Sequence, residues 1–143
     1  MKIISHRGNI NGKDLSLEND PKQILKVIEL GLDCEVDVWN IDGCYYLGHD
    51  FPKHPIKEKF LENSFLWCHA KNFKALNSMN LNKKIHYFWH QNDNFTLTSK
   101  NIIWTYPNQQ TYENSIIVLN DKQAPPSICF GICTDYPLYY LNR

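Results

Sequence analysis

Between residues 34 and 50 the chain reads CEVDVWNIDGCYYLGHD, which places Glu35 and Asp37 two positions apart on one apolar run and His49 at the end of the next. Side chains alternate along a strand, so Glu35, Asp37 and Trp39 share one face while Cys34, Val36 and Val38 share the other. Two carboxylates on one strand face can hold a hard cation such as Mg²⁺ or Ca²⁺. Charged side chains on a strand flanked by valine and tryptophan need partners, because an unpaired buried carboxylate is costly. Asp42-Gly43 reads as a hairpin turn. A two-residue loop sets position 49 opposite Val36, whereas a three-residue loop ending in a left-handed glycine sets it opposite Glu35. Either register brings His49 next to the carboxylates.

Further polar pairs fall at the ends of other strand-like runs: His6-Arg7, His69 with Lys71, and Thr134-Asp135. In parallel α/β folds such ends converge on one face, where the loops build a site. Two histidines can alternate as acid and base near neutral pH. Arg7 suits a phosphate through paired hydrogen bonds and Lys71 suits it as a point charge. His54, His86 and His90 carry no motif and read as packing or surface residues, although a metal or base role is conceivable for His90 in FWHQND. Trp67, Trp89 and Trp104 read as core or rim aromatics, any of which could wall a pocket. Asp135 either orients Arg7 or caps the closing turn.

The elements that must position these groups follow from periodicity. Residues 2–7 form a short apolar strand that turns polar at its end. Asp20 as N-cap, Pro21 in the first turn, apolar residues at 24, 25, 27, 28 and 30, and Gly31 as the stop predict a helix. Strands are expected at 33–39, 44–50 and 65–71, with short helices over 54–63 and 73–81. KIHYFWH, NIIWTYP, NSIIVLN and ICFGICTDYP then read as strands in quick succession. The last gaps are about ten residues, near the minimum for a parallel crossover and short for a helix. The expected fold is α/β, a single domain over 1–143 with a reduced (β/α) TIM-barrel-like architecture that lacks several helices, mostly in the second half.

Composition narrows the partners. Fifteen Lys plus Arg balance fifteen Asp plus Glu, which argues against a nucleic-acid or anionic-membrane binder. The N-terminal run is too short for a secretory segment and no later run approaches a membrane span, so a soluble, cytoplasmic protein without membrane insertion is expected. The spacing in CFGIC is one zinc could use, but no matching second Cys/His pair accompanies it, so the five cysteines are expected to be reduced thiols. Missing helices leave apolar strand faces uncovered, which predicts self-association as a homodimer.

The ordered set HRG at 6–8, Glu18-Asn19, Glu35-Val36-Asp37, Asp42-Gly43 and His49-Asp50 resembles the first half of the glycerophosphodiester phosphodiesterases. HAK at 69–71 falls where that family has E-x-K, IIWTYP resembles its late Trp-Thr strand, and GICTDYP resembles its closing G-I-x-T-D-x-P strand. Each motif alone is weak, whereas the ordered combination is specific. The resemblance implies a metal-dependent hydrolase that cleaves a small glycerophosphodiester into an alcohol and a glycerol phosphate, as part of lipid metabolism. It makes His6 and His49 the acid/base pair, Arg7 and Lys71 the phosphate ligands, Glu35 and Asp37 metal ligands, and Glu18 a supporting carboxylate. His69 stands in place of the family's third metal carboxylate, as a ligand or as a neighbour. Mg²⁺ or Ca²⁺ is the implied ion, and the histidine opens the site to Mn²⁺ or Zn²⁺. Two alternatives stay open: a non-catalytic barrel that binds a phosphorylated ligand or partner, and a phospholipase D-like activity on a lysolipid.

Overall fold

The computed structural model describes residues 1–142. β1 (Lys2–His6) leads through a polar loop to α1 (Pro21–Glu29), which begins where the Asp20 side chain accepts the Lys22 N–H at 2.8 Å. Ile24 and Val27 give the helix its buried stripe, and Gly31 turns the chain at φ +77°. β2 (Asp33–Ile41) is long enough to serve three neighbours. Its first part pairs in parallel with β1 and with β5 (Leu66–Ala70), and its last part pairs antiparallel with β3 (Cys44–Leu47).

β3 continues into β4 (His54–Ile56), and the one-turn α2 (Glu58–Leu61) precedes β5. The helix expected over 54–63 is thus split, because its first residues are drawn into the sheet. α3 (Phe73–Leu81) begins at Asn72, whose side chain accepts the Ala75 N–H at 2.9 Å. β6 (Tyr87–Trp89), β7 (Phe95–Leu97), β8 (Ile103–Thr105), β9 (Ser115–Leu119), β10 (Gly131–Thr134) and α4 (Pro137–Leu141) complete the described residues.

β6, β5, β2, β1, β10, β9 and β8 lie side by side in parallel, with β7 antiparallel on β8. The whole is a mixed, curled sheet of half-barrel form, and the expected TIM-barrel-like α/β fold is not what the chain adopts. The physical reason lies in the connections. β3–β4 and β7 are antiparallel additions, and the links β8–β9 and β9–β10 cross over as loops without a helix. The loop after β7 turns back to β6, where the Ser99 N–H donates to the Tyr87 carbonyl at 2.8 Å.

Alternation gives the sheet two different faces. Cys34, Val36, Val38, Leu66, Cys68 and Ala70 face Ile24 and Val27 of α1 and Ala75 and Met79 of α3. The opposite, concave face holds Ile4, Trp67, Phe88, Trp104, Ile116 and Cys133, with Phe88 and Trp104 stacked at 4.5 Å. That aromatic layer floors the space in which the polar strand ends meet. Phe95 and Leu97 of β7 stay exposed, since no helix covers them. All five cysteines are unpaired. Among the described residues, no helix is long and apolar enough to cross a membrane.

Candidate functional site

The C-terminal ends of the parallel strands carry the polar residues. His6 ends β1 and pairs in register with Glu35, and Asp37 pairs with His69 across β2 and β5. Register therefore stacks the four side chains above the aromatic layer on one face. Glu35 and Asp37 are buried, with Asp37 fully so. Around Asp37 lie Arg7 Nε at 3.2 Å from Oδ2, His69 Nδ1 at 3.3 Å and Lys71 Nζ at 3.5 Å from Oδ1. Asn19 clamps the same residue twice, its Nδ2 donating to Oδ2 and its Oδ1 accepting the Asp37 N–H, both at 2.9 Å.

The backbone is bent to deliver these groups. Arg7 sits at φ +56° and Asn19 at φ +62°, both left-handed conformations that non-glycine residues seldom adopt. The Arg7 N–H bonds the Glu35 carbonyl, and the Arg7 carbonyl accepts the Asn19 N–H. Such strain is retained where the surroundings fix it, and it concentrates at functional positions.

Electrostatics tie the cluster together. Burial opposes ionisation of Asp37, but His69, Arg7 and Lys71 outweigh it and hold the carboxyl well below its ordinary range. Burial likewise works against a charged His69, yet Asp37 and Glu35 raise it to about 9. For His6, burial is outweighed by Asp135 and Glu35, so its pKa is also raised.

Glu35, Asp37 and His69 each offer one ligand atom, all within 4.8 Å of one another, and they form the one such metal-capable group among the described residues. Glu35 Oε2 is buried without a hydrogen-bond partner, while Asp37 Oδ1 meets only the longer ion pairs to His69 and Lys71. The residues present fit a divalent ion. Cys129 and Cys133 of the CFGIC stretch take no part in it.

No protein-family model, curated protein or solved structure matches the chain.

Each sequence-derived residue can be located. Glu18 lies at the edge, its Oε1 accepting the Asn9 amide at 3.0 Å and its Oε2 accepting Arg7 at 3.4 Å. His6, Arg7, Glu35 and His69 border a cavity of about 200 Å³ closed by Phe88, Trp104 and Tyr106. Arg7, His49, His69 and Lys71 border a second one of about 330 Å³ with Trp89 and Gln91. Arg7, His69, His90 and Tyr106 are common to both. A larger groove of about 680 Å³ beside Lys2 and Asp33 opens at the other end of the strands, away from these groups.

His49 does not join the carboxylates directly. The hairpin takes the two-residue loop, with Asp42 and Gly43 both at positive φ and Val38 opposite Leu47. β3 ends at Leu47, and His49 follows on a turn anchored by Gly48, whose N–H bonds the Asp37 carbonyl and whose carbonyl accepts Trp39 Nε1. There the His49 Nδ1 lies 2.8 Å from Asp50.

Asn9, which links Asp135 to Glu18, escapes the sequence reading. Asp135 is singled out there but pairs with His6 rather than with Arg7, and His90, read chiefly as packing or surface, lines both cavities. For Asp135 the signal was present in its place at a strand end. For His90 it was absent, since its role depends on which strand neighbours β5.

Proposed function

We propose that the chain is a metal-dependent phosphodiesterase acting on a small glycerophosphodiester-like substrate, in the manner of the family its motifs resemble. The observation that carries the reading is the convergence of Glu35, Asp37 and His69 beneath Arg7, with His6 on the cavity to one side and His49 on the cavity to the other. Cavities of about 200 and 330 Å³ favour a substrate with two short polar arms over a lipid.

In this reading Arg7 and Lys71 bind the phosphate between the cavities. A hydroxyl of the substrate adjacent to the ester attacks phosphorus, the new P–O bond forms and the P–O bond to the leaving alcohol breaks. One histidine removes the hydroxyl proton and the other gives a proton to the leaving oxygen. Water then opens the cyclic diester with the two roles reversed. Glu35, Asp37 and His69 would hold a divalent ion, which would supply Lewis acidity for the phosphoryl transfer. Each histidine contributes about a hundredfold to ten-thousandfold in rate.

A second reading, phosphate binding without turnover, draws on the three cations already gathered around Asp37. The two are separated by measuring alcohol release from a panel of glycerophosphodiesters under Mg²⁺, Ca²⁺, Mn²⁺, Zn²⁺ and EDTA. Metal-dependent turnover that His6→Ala and Glu35→Ala both abolish supports the enzyme. A folded protein that binds glycerol phosphate but turns over no diester supports the binding module.

A further inference from the structure

We infer that the Glu35, Asp37 and His69 cluster selects a transition dication such as Mn²⁺, Co²⁺ or Zn²⁺ over Mg²⁺ or Ca²⁺, because the His90 carbonyl fixes which nitrogen of His69 faces the carboxylates. The inference rests on the metal-dependent reading above and names the class of ion at that same site.

His69 Nε2 lies 2.8 Å from the backbone oxygen of His90. A carbonyl oxygen only accepts, so Nε2 carries a proton and donates it. In the neutral ring the lone pair is then on Nδ1, which stands 3.3 Å from Asp37 Oδ1 and 3.6 Å from Glu35 Oε1. Without an ion, a proton on Nδ1 joins the ring to the two carboxylates, and a dication taking the Nδ1 lone pair would displace it. Ligand atoms held about 2.0–2.1 Å from a tetrahedral ion are about 3.3 Å apart, close to the separations seen. A ring nitrogen bonded to a carbonyl on its far side is also how metal-ligating histidines are usually oriented.

Charge and oxygen count point the same way. Mg²⁺ and Ca²⁺ call for six or more oxygen ligands and for surplus negative charge. Here the two carboxylates are offset by Arg7 and Lys71, both within 3.5 Å of Asp37. Glu18 is not a third oxygen ligand, since both of its oxygens are engaged by Asn9 and Arg7. A site poor in oxygen and nearly neutral draws its affinity from the imidazole, which favours transition ions. The packing of His69 flat on Phe88, 5.0 Å away and 7° from parallel, holds the ring in this orientation.

The test uses the intact chain and reads binding rather than activity. Co²⁺ is titrated by visible absorption, and Zn²⁺, Mg²⁺ and Ca²⁺ by calorimetry, for wild type, His69→Ala and His69→Asp, with circular dichroism as the check on folding. Zn²⁺ is expected to bind at least about tenfold more tightly than Mg²⁺. His69→Ala should weaken it by about a hundredfold or more, beyond the loss typical of an outer partner. His69→Asp, which keeps the fold's charge neighbours but restores a third carboxylate, should reverse the preference toward Mg²⁺ and Ca²⁺. Nitrogen-15 spectra should show Zn²⁺ on Nδ1 with the Nε2 proton retained. Tighter Mg²⁺ or Ca²⁺ binding in wild type, Zn²⁺ binding indifferent to His69→Ala, or no binding of Co²⁺ and Zn²⁺ would each overturn the inference. A protein that binds Zn²⁺ through His69 yet cleaves no diester keeps it and removes only the enzymatic reading.

Discussion

His6 Nδ1 and Asp135 Oδ1 lie 2.8 Å apart although 129 residues separate them in the chain. They meet because β1 and β10 are parallel neighbours, with Ser5 opposite Thr134, so the next residue of each strand emerges at the same level. Asn9 donates to the same Asp135 oxygen at 2.8 Å and keeps the carboxylate turned toward the ring. His6 therefore holds its Nδ1–H on Asp135 and leaves Nε2 for chemistry, the arrangement by which a carboxylate fixes the tautomer of a catalytic base.

Asp135 acts in the proposed reaction as a positioning residue. Asp135→Asn should lower kcat by about a hundredfold or more while leaving the protein folded. Since Asp135 raises the pKa of His6, removing its charge lowers it, and the limb of the kcat/KM profile governed by His6 should move to lower pH. Asp135→Glu should restore part of the rate. A loss of rate with an unmoved pH profile would assign Asp135 a structural role only.

The sequence carried much of this site, for a physical reason. Alternation along β2 is a local property, so the shared face of Glu35 and Asp37 could be read directly from spacing. The capped helix after Asp20 was equally local, and Asp42-Gly43 announced its own turn. What stayed hidden depends on long-range pairing. That Asp135 faces His6 follows only once β10 is known to lie beside β1, and His90 enters the site only because β6 pairs with β5. The fold class was misjudged for a related reason. Helix-free crossovers and antiparallel additions leave the same short apolar runs as barrel strands, so counting strands did not give their winding.

Asp37 is the electrostatic centre of the site as well as a candidate ligand. Asp37→Asn keeps its volume but leaves Arg7 and Lys71 without their shared counter-charge. Breaking a buried pair in this way costs about 3–5 kcal/mol, and the partial exposure of both cations places the expected loss near the lower end, about 3 kcal/mol in urea unfolding at pH 7 with EDTA. The sign with pH is definite. The folded-state pKa of Asp37 is depressed, so its stabilisation is present above the ordinary carboxylate value and is lost as pH falls below it. The gap between wild type and variant should therefore narrow in acid, and a gap constant from pH 7 to pH 3 would contradict this account.

Gly48 sets the approach of His49. A Cβ on Gly48 would overlap the Phe51 carbonyl oxygen and press on Lys53, so no other residue fits the turn as it stands. Gly48→Ala should displace the turn that carries His49 while the remote β1, β10 and β9 core keeps its packing. Diester turnover is expected to fall at least about tenfold, with a circular dichroism spectrum like that of wild type. Unchanged turnover would show that His49 need not occupy its present place.

His86 gives a stability test that does not involve the site. The side chain is buried, with its ring 4.2 Å from that of Trp67 and Nε2 2.9 Å from Thr98 Oγ1. Burial, with a smaller contribution from Lys100, lowers its pKa from 6.5 to about 4. As pH falls from 6.5 the unfolded chain takes up a proton that the folded one refuses, so stability declines through this window until the folded form is protonated near pH 4. A shift of this size corresponds to at most about 3 kcal/mol. His6 and His69 act in the opposite sense at the top of the range, where the folded state holds protons the unfolded one has not yet taken up, and add little slope below about pH 5.5, where both states are protonated. Urea midpoints taken at half-unit steps from pH 7 to pH 4 should decline in wild type and much less in His86→Gln. A flat wild-type profile across that window would mean that the buried imidazole accepts its proton without loss.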